Sequence, residues 1–133
     1  MLPLSFSRNF FNFKHISNEA LNRAYYSPSN SKPLSLDEVI EKVKMVFKAF
    51  PDFTPSYEEI IAKGDKVIVR KIVRCTQQGD FYGIPPTGNE IEIGEIAISR
   101  IENGKIAEVR IESDSLGMMM QLGLELKLKE AEK

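Results

Sequence analysis

The spacing of apolar positions changes once along the chain, from the rhythm of a helix to strict alternation, and that change predicts the fold. Leu36, Val39, Ile40, Val43, Phe47 and Phe50 recur at helical intervals and set one apolar stripe, while Glu41, Lys42, Lys44 and Lys48 fall to the other, solvated side. Ser35-Leu36-Asp37-Glu38 reads as a capping box, in which the hydroxyl and the carboxylate each satisfy an orphan backbone donor. Pro51 ends the helix, because the residue before a proline is pushed out of the helical region. Upstream, Phe10, Phe13, Leu21 and Tyr25 fall at loosely helical spacing and predict a helix or helix pair over 6–26. The stretch 27–33, with two prolines among small polar residues, reads as a loop.

From Phe53 the period becomes two. Strands are predicted over about 57–63 and 66–76, joined by Gly64-Asp65, with Val67, Val69, Val73 and Cys75 on one face and Arg70, Arg74 and Thr76 on the other. A glycine- and proline-rich loop over 77–88 leads to strands over about 90–101 and 105–113, and Asn103-Gly104 between them is a strong hairpin signal. The Met- and Leu-rich stretch after Ser115, broken by Gly117 and Gly123, predicts a helix at first; Leu124, Leu126 and Leu128 alternate with charges and fit strand or helix equally. Helices followed by a meander of long antiparallel strands make an α+β domain, with the helices on one face of a curved sheet whose concave side encloses a pocket.

Composition narrows what that pocket is for. The 133 residues are enough for one domain, taken here as 1–133. Lys and Arg (18) nearly balance Asp and Glu (19), so the basic stripe that holds nucleic-acid phosphates or an anionic membrane surface is missing. No apolar run approaches the roughly 20 residues of a membrane span, and the N-terminus lacks the apolar core of a signal peptide, so a cytoplasmic chain is expected. One cysteine, Cys75, excludes an internal disulfide and is expected as a small buried hydrophobe; one histidine, His15, excludes a two-imidazole site and is expected in a structural role. No phosphate loop, nucleophile elbow, HExxH or CxxC is present. Glu90 and Glu92 lie on the opposite strand face from Glu95, so the three do not converge on a metal, and none is expected.

Three stretches together carry a resemblance. Phe50-Pro51-Asp52-Phe53 with Ile61-Ala62-Lys63-Gly64-Asp65-Lys66-Val67, then Gly79-Asp80-Phe81-Tyr82-Gly83-Ile84-Pro85-Pro86-Thr87-Gly88, then the run from Ile98-Ser99-Arg100-Ile101-Glu102-Asn103-Gly104 through Met118-Met119-Met120, resemble the SnoaL-like polyketide cyclases, also called ester cyclases. The match spans about 34–124; 1–33 fits the family's opening helices loosely and looks shortened, and 125–133 is a tail. The resemblance implies a nuclear transport factor 2-like cone, with N-terminal helices packed on a strongly curved antiparallel or mixed sheet around a pocket. It also implies a homodimer and ring closure by aldol chemistry without cofactor.

The family's inward His and Asp on the strand after the Asn-Gly turn correspond here to Val109 and Ile111, its polar partner-strand position to Ala97, and its loop histidine to Gln77. The cavity therefore reads as greasy where the family's catalytic groups stand. Gln77, Ala97, Val109, Ile111, Phe81 and Met119 are expected to line it around a small hydrophobic, carbonyl-bearing molecule, with Gln77 donating to the carbonyl. Two carboxylates remain as acid–base candidates. Glu95 shares parity with Ala97 and enters the cavity unless it sits at a wet edge or pairs with an arginine; Asp114 precedes the last helix, where capping competes with catalysis. Arg70 and Arg74 suit an exterior face. Three readings stand: a pocket that holds an apolar ligand unreacted, a cofactor-free cyclase or isomerase using Glu95 or Asp114, and an assembly domain.

Overall fold

The computed structural model describes residues 21–26 and 32–130. Its elements run β1 (Leu21–Tyr26), α1 (Leu36–Ala49), β2 (Thr54–Lys63), β3 (Lys66–Thr76), β4 (Glu90–Glu102), β5 (Lys105–Ser113) and α2 (Ser115–Gln121). The five strands form one mixed sheet in the order β1-β5-β4-β3-β2. β2 to β5 are an antiparallel meander, and β1 lies parallel to β5. This is the curved α+β sheet expected from the alternation pattern and the cone that the resemblance implies: the sheet curls around α1 and leaves a cavity between them.

Local chemistry explains most boundaries. The α1 capping box forms as predicted, with the Glu38 N–H donating to Ser35 Oγ at 3.3 Å and the Ser35 N–H to Glu38 Oε1 at 3.2 Å. The β2–β3 turn opens on Gly64 at φ 60°, and the β4–β5 turn places Asn103 and Gly104 at φ 54° and 74°, the left-handed pair that a two-residue hairpin asks for. β2 begins at Thr54 rather than near Tyr57, and it takes in Pro55, which an edge strand tolerates because one side of it pairs with no strand among the described residues. Beyond α2 the chain has no regular structure over 124–130, so the alternating leucines there make neither strand nor helix.

The N-terminal expectation needs correction where it can be read. Residues 1–20, with Phe10, Phe13 and His15, lie outside the described residues. Leu21–Tyr26 is a strand, not the end of a helix. Asn and Tyr are weak helix formers, and β5 offers this segment a whole edge of backbone partners, from Leu21 opposite Ile106 to Tyr26 opposite Arg110.

Two apolar clusters fill the concave side. One gathers Val39 from α1 with Val67, Val69, Ala97, Val109 and Ile111. The other joins Ala49 and Phe50 to Val73, Cys75, Phe81 and Ile93, with Leu122 behind α2. Each fully buried valine or phenylalanine contributes about 1.5–3 kcal/mol. The convex side is wetter but not uniformly polar. Ile61, Ile68, Ile96 and Ile98 are exposed there, beside the ion pairs Arg70–Glu59 at 3.0 Å and Arg74–Glu92 at 2.8 Å, so both arginines take the exterior places expected of them. Among the described residues no helix is long and apolar enough to cross a membrane.

Candidate functional site

Alternation along β3 puts Val67, Val69, Lys71, Val73 and Cys75 on one inward face, so a lysine stands in the middle of four apolar residues. Register then does the rest. Lys71 lies opposite Glu95 on β4, Glu95 opposite Ser113 on β5, and Tyr57 on β2 opposite Lys71. One polar row crosses four strands between the two apolar clusters. Lys71 Nζ sits 3.1 Å from Glu95 Oε2, and the Ser113 hydroxyl donates to Glu95 Oε1 at 3.1 Å. The two ionic side chains are 3% and 12% exposed, which makes this a buried pair, unlike the surface pairs on the convex side.

Lys71, Glu95 and Ser113 of this row stand in one wall of a cavity of about 450 Å³, of the size that takes a small organic molecule. α1 covers the opposite side with Val39, Val43, Val46 and Phe47. The loop after β3 adds Phe81 and Tyr82, and α2 adds Met118 and Met119. Lys42 also lines the cavity, against the expectation of a solvated place. It stands one helical turn from both Val39 and Val46, and so belongs to the flank of the apolar stripe.

Glu95 sets the electrostatics. Burial lowers the Lys42 ammonium below its ordinary value, and the Glu95 charge opposes that shift. Burial raises the Tyr57 phenol, with Glu95 adding to it. The Cys75 thiol is pushed up to about 11, first by burial and then by the negative charges of Asp52 and Glu95, so it rests as a neutral thiol. Among the described residues no three His, Cys, Asp or Glu side chains gather as metal ligands do.

The expected site residues divide. Glu95, Ile111, Phe81 and Met119 line the cavity. Glu95 is neither at a wet edge nor paired with an arginine; its partner is Lys71. Ala97 and Val109 face the same way but are buried in the apolar cluster beyond the row and do not line the cavity. Gln77 is corrected to a structural part. It is fully buried, and its amide donates to the carbonyls of Gly79 at 3.1 Å and Ile84 at 3.0 Å. Its Oε1 accepts from the Thr87 N–H at 3.1 Å and the Thr87 hydroxyl at 2.7 Å. These four bonds hold the loop 77–88 in shape and commit the amide that was expected to meet a ligand carbonyl. Asp114 is the N-cap of α2, accepting from the Gly117 N–H at 2.9 Å, and is not part of the cavity wall. Parity already turned Ser113 toward the cavity without marking it as a site residue, Lys71 was passed over although it shares the inward parity of β3, and helical spacing had put Lys42 on the solvated side.

Comparison with known proteins agrees with this fold. No curated protein matches the chain. Among solved structures, AclR of Streptomyces galilaeus, proposed to be a hydroxylase, is 29% identical over 84% of this chain and 80% of its own, with a TM-score of 0.71. IdmH of Streptomyces antibioticus, a proposed polyketide cyclase, is 28% identical over 82% of each chain, with a TM-score of 0.69. TsrD of Streptomyces laurentii shares the fold at a TM-score of 0.76 and 22% identity, covering 92% of this chain and 98% of its own. The sequence profile of the SnoaL-like polyketide cyclases matches residues 14–122, and this chain belongs to that family.

Proposed function

We propose that the chain is a cofactor-independent enzyme that takes a small hydrophobic carbonyl compound into the cavity and moves a proton on it with Glu95 as the base. The observation that carries this reading is a nearly buried carboxylate in the wall of an otherwise largely apolar cavity, held between an ammonium and a hydroxyl. In the step envisaged, a Glu95 oxygen takes the proton from the carbon next to the carbonyl, and the C–H electron pair passes to the carbonyl oxygen as an enolate. The Lys71 ammonium, fixed by Glu95 itself, supplies positive charge where the oxyanion develops. The enolate carbon then attacks a second carbonyl of the same molecule, and the new alkoxide recovers the proton from Glu95. Nothing is oxidised, and no second reactant is consumed. Family membership and the likeness to IdmH support ring closure as the outcome.

The rival reading is a carrier that holds the same molecule unreacted. It is favoured by the apolar Ala97, Val109 and Ile111 at the positions that correspond to the family's catalytic side chains. Deuterium exchange separates the two. An aryl alkyl ketone incubated with the protein in heavy water exchanges its α-hydrogens faster with the wild type, and Glu95→Gln removes about a hundredfold or more of that acceleration. Equal exchange by the two proteins returns the cavity to the carrier reading. The setting we propose is cytoplasmic, and the proposed partner is a second copy of the chain, with the exposed isoleucines of the convex face giving it an apolar surface. Sedimentation as a monomer at tens of micromolar would remove that partner.

A further inference from the structure

Two tight turns of this chain share a backbone but not a sequence. Asn103 and Gly104 stand at φ 54° and 74°, Tyr82 and Gly83 at φ 50° and 80°. Phe81 and Ile84 close the second turn, the Phe81 N–H donating to the Ile84 carbonyl at 3.0 Å and the Ile84 N–H to the Phe81 carbonyl at 2.9 Å. A two-residue turn of this kind needs left-handed dihedrals at both central places, which asparagine and glycine adopt easily. A tyrosine in that region is an outlier and persists only where its surroundings over-determine it. Here they do. The Gly83 N–H donates to Asp80 Oδ2 at 3.2 Å, and the Gln77 amide holds the Ile84 carbonyl.

Tyr82 lines the cavity and is nevertheless 62% exposed, whereas Phe81 and Phe50 beside it are buried. The Phe50 and Phe81 rings meet edge to face with centroids 5.1 Å apart, and Phe81 and Tyr82 do the same at 4.7 Å. A file of three rings thus runs from the buried interior to the opening, and Tyr82 is its outer end. We infer that Tyr82 is a specificity-determining residue: its ring packs on the far end of a ligand whose carbonyl meets the Lys71–Glu95 row, and so selects molecules long enough to reach both. This deepens the proposed function by saying what the same site prefers, and it rests on the cavity as the binding site rather than on Glu95 as the base.

Contact with Phe81 leaves most of Tyr82 in water, and the turn itself is better served by an asparagine, as at position 103. A ligand laid on the ring takes that apolar surface out of water and adds an aromatic contact. Volume sets the length. One benzene occupies a cavity of roughly 150 Å³, so the 450 Å³ here has room for about three rings. A one-ring ketone seated against the nearly buried Glu95 stops short of the opening, and a three-ring ketone reaches Tyr82.

Acetophenone and 2-acetylphenanthrene test this, since they share an aryl methyl ketone and differ in length. Dissociation constants come from titration calorimetry, directly for the long ketone and by competition with it for the short one. Tyr82→Asn copies the chain's own Asn103 turn and is expected to weaken the long ketone about tenfold while the short one changes by less than about twofold. Tyr82→Phe keeps both affinities, because the ring makes the contact. A long ketone bound by Tyr82→Asn as tightly as by the wild type overturns the inference, and so does an equal loss for both ketones, which would make Tyr82 a support of the whole cavity. Neither ketone binding the wild type removes the cavity as the site and the inference with it. A failed deuterium exchange with an intact length preference rejects the base and keeps the role of Tyr82; exchange that depends on Glu95 without a length preference rejects that role alone.

Discussion

The Lys71–Glu95 pair makes a sharp energetic prediction. At 3.1 Å and the effective dielectric that suits partly buried pairs, the mutual attraction is about 5 kcal/mol, opposed by several kcal/mol of lost hydration for each ion. The intact pair is therefore near neutral for stability, but either half alone is not. Lys71→Met leaves a carboxylate that is 12% exposed with Ser113 as its remaining neighbour in the row, and costs about 3 kcal/mol. Glu95→Leu takes the carboxylate partner from a lysine that is 3% exposed and costs about 3–5 kcal/mol. The double variant puts two apolar side chains between Tyr57 and Ser113, takes the acceptor from the Ser113 hydroxyl and loses about 1–2 kcal/mol, so the coupling is still several kcal/mol. Urea unfolding of the four proteins measures this, provided the slope against urea stays constant and the transition stays two-state. Costs of the two single variants that add to the cost of the double within about 0.5 kcal/mol would refute the argument, because independent sites behave that way.

The remaining predictions are separate from that pair. Gln77→Leu strips four bonds from the loop 77–88 and costs about 2–3 kcal/mol, read by urea unfolding together with faster amide exchange at Thr87; unchanged exchange there would show the loop held by other means. Ser99 Oγ is buried and among the described residues has no hydrogen-bond partner, so Ser99→Ala is expected to be neutral or to raise stability by about 1 kcal/mol, and a marked loss would mean the hydroxyl is satisfied in solution. The Thr76 N–H, 2.7 Å from Asp52 Oδ1, holds that carboxyl below its ordinary 3.8. A depressed folded value gives stability that is fully present above 3.8 and is lost as pH falls from there through the lower folded value, so the stability gap between wild type and Asp52→Asn narrows as pH drops below 3.8; a constant gap refutes it. With its thiol raised to about 11, Cys75 in the folded chain is alkylated by iodoacetamide far more slowly at neutral pH than in the urea-unfolded chain; equal rates would place the thiol in water.

Much of the architecture was legible because its signals are local. Two-residue turns at Gly64-Asp65 and Asn103-Gly104 set the hairpins, and alternation then fixed which side of β3 and β5 faced inward. The same parity already contained the polar row, since Lys71 shares its face with Val69 and Val73, but a lysine in an apolar run is easily taken as outward-facing. What parity does not contain is register: that Lys71 stands opposite Glu95, and Glu95 opposite Ser113, depends on where each hairpin closes. Gln77 was misread for a related reason. A loop amide looks free until the loop's own carbonyls are known to fold back on it. β1 was read as helical because nothing near it in sequence marks a strand.

The parallel seating of β1 on β5 has a consequence in time. Every other strand pair joins sequence neighbours through a short connection, or in the case of β3 and β4 through one loop, and such hairpins close quickly. β1 pairs with a strand that follows all the others, Leu21 with Ile106, so it leaves the ribosome before its partner exists and is the last strand to find its place. Until it arrives, the outer edge of β5 is a bare ladder of donors and acceptors that any extended peptide can join. The strand least visible in the sequence thus decides when the β5 edge of the nascent sheet stops being adhesive.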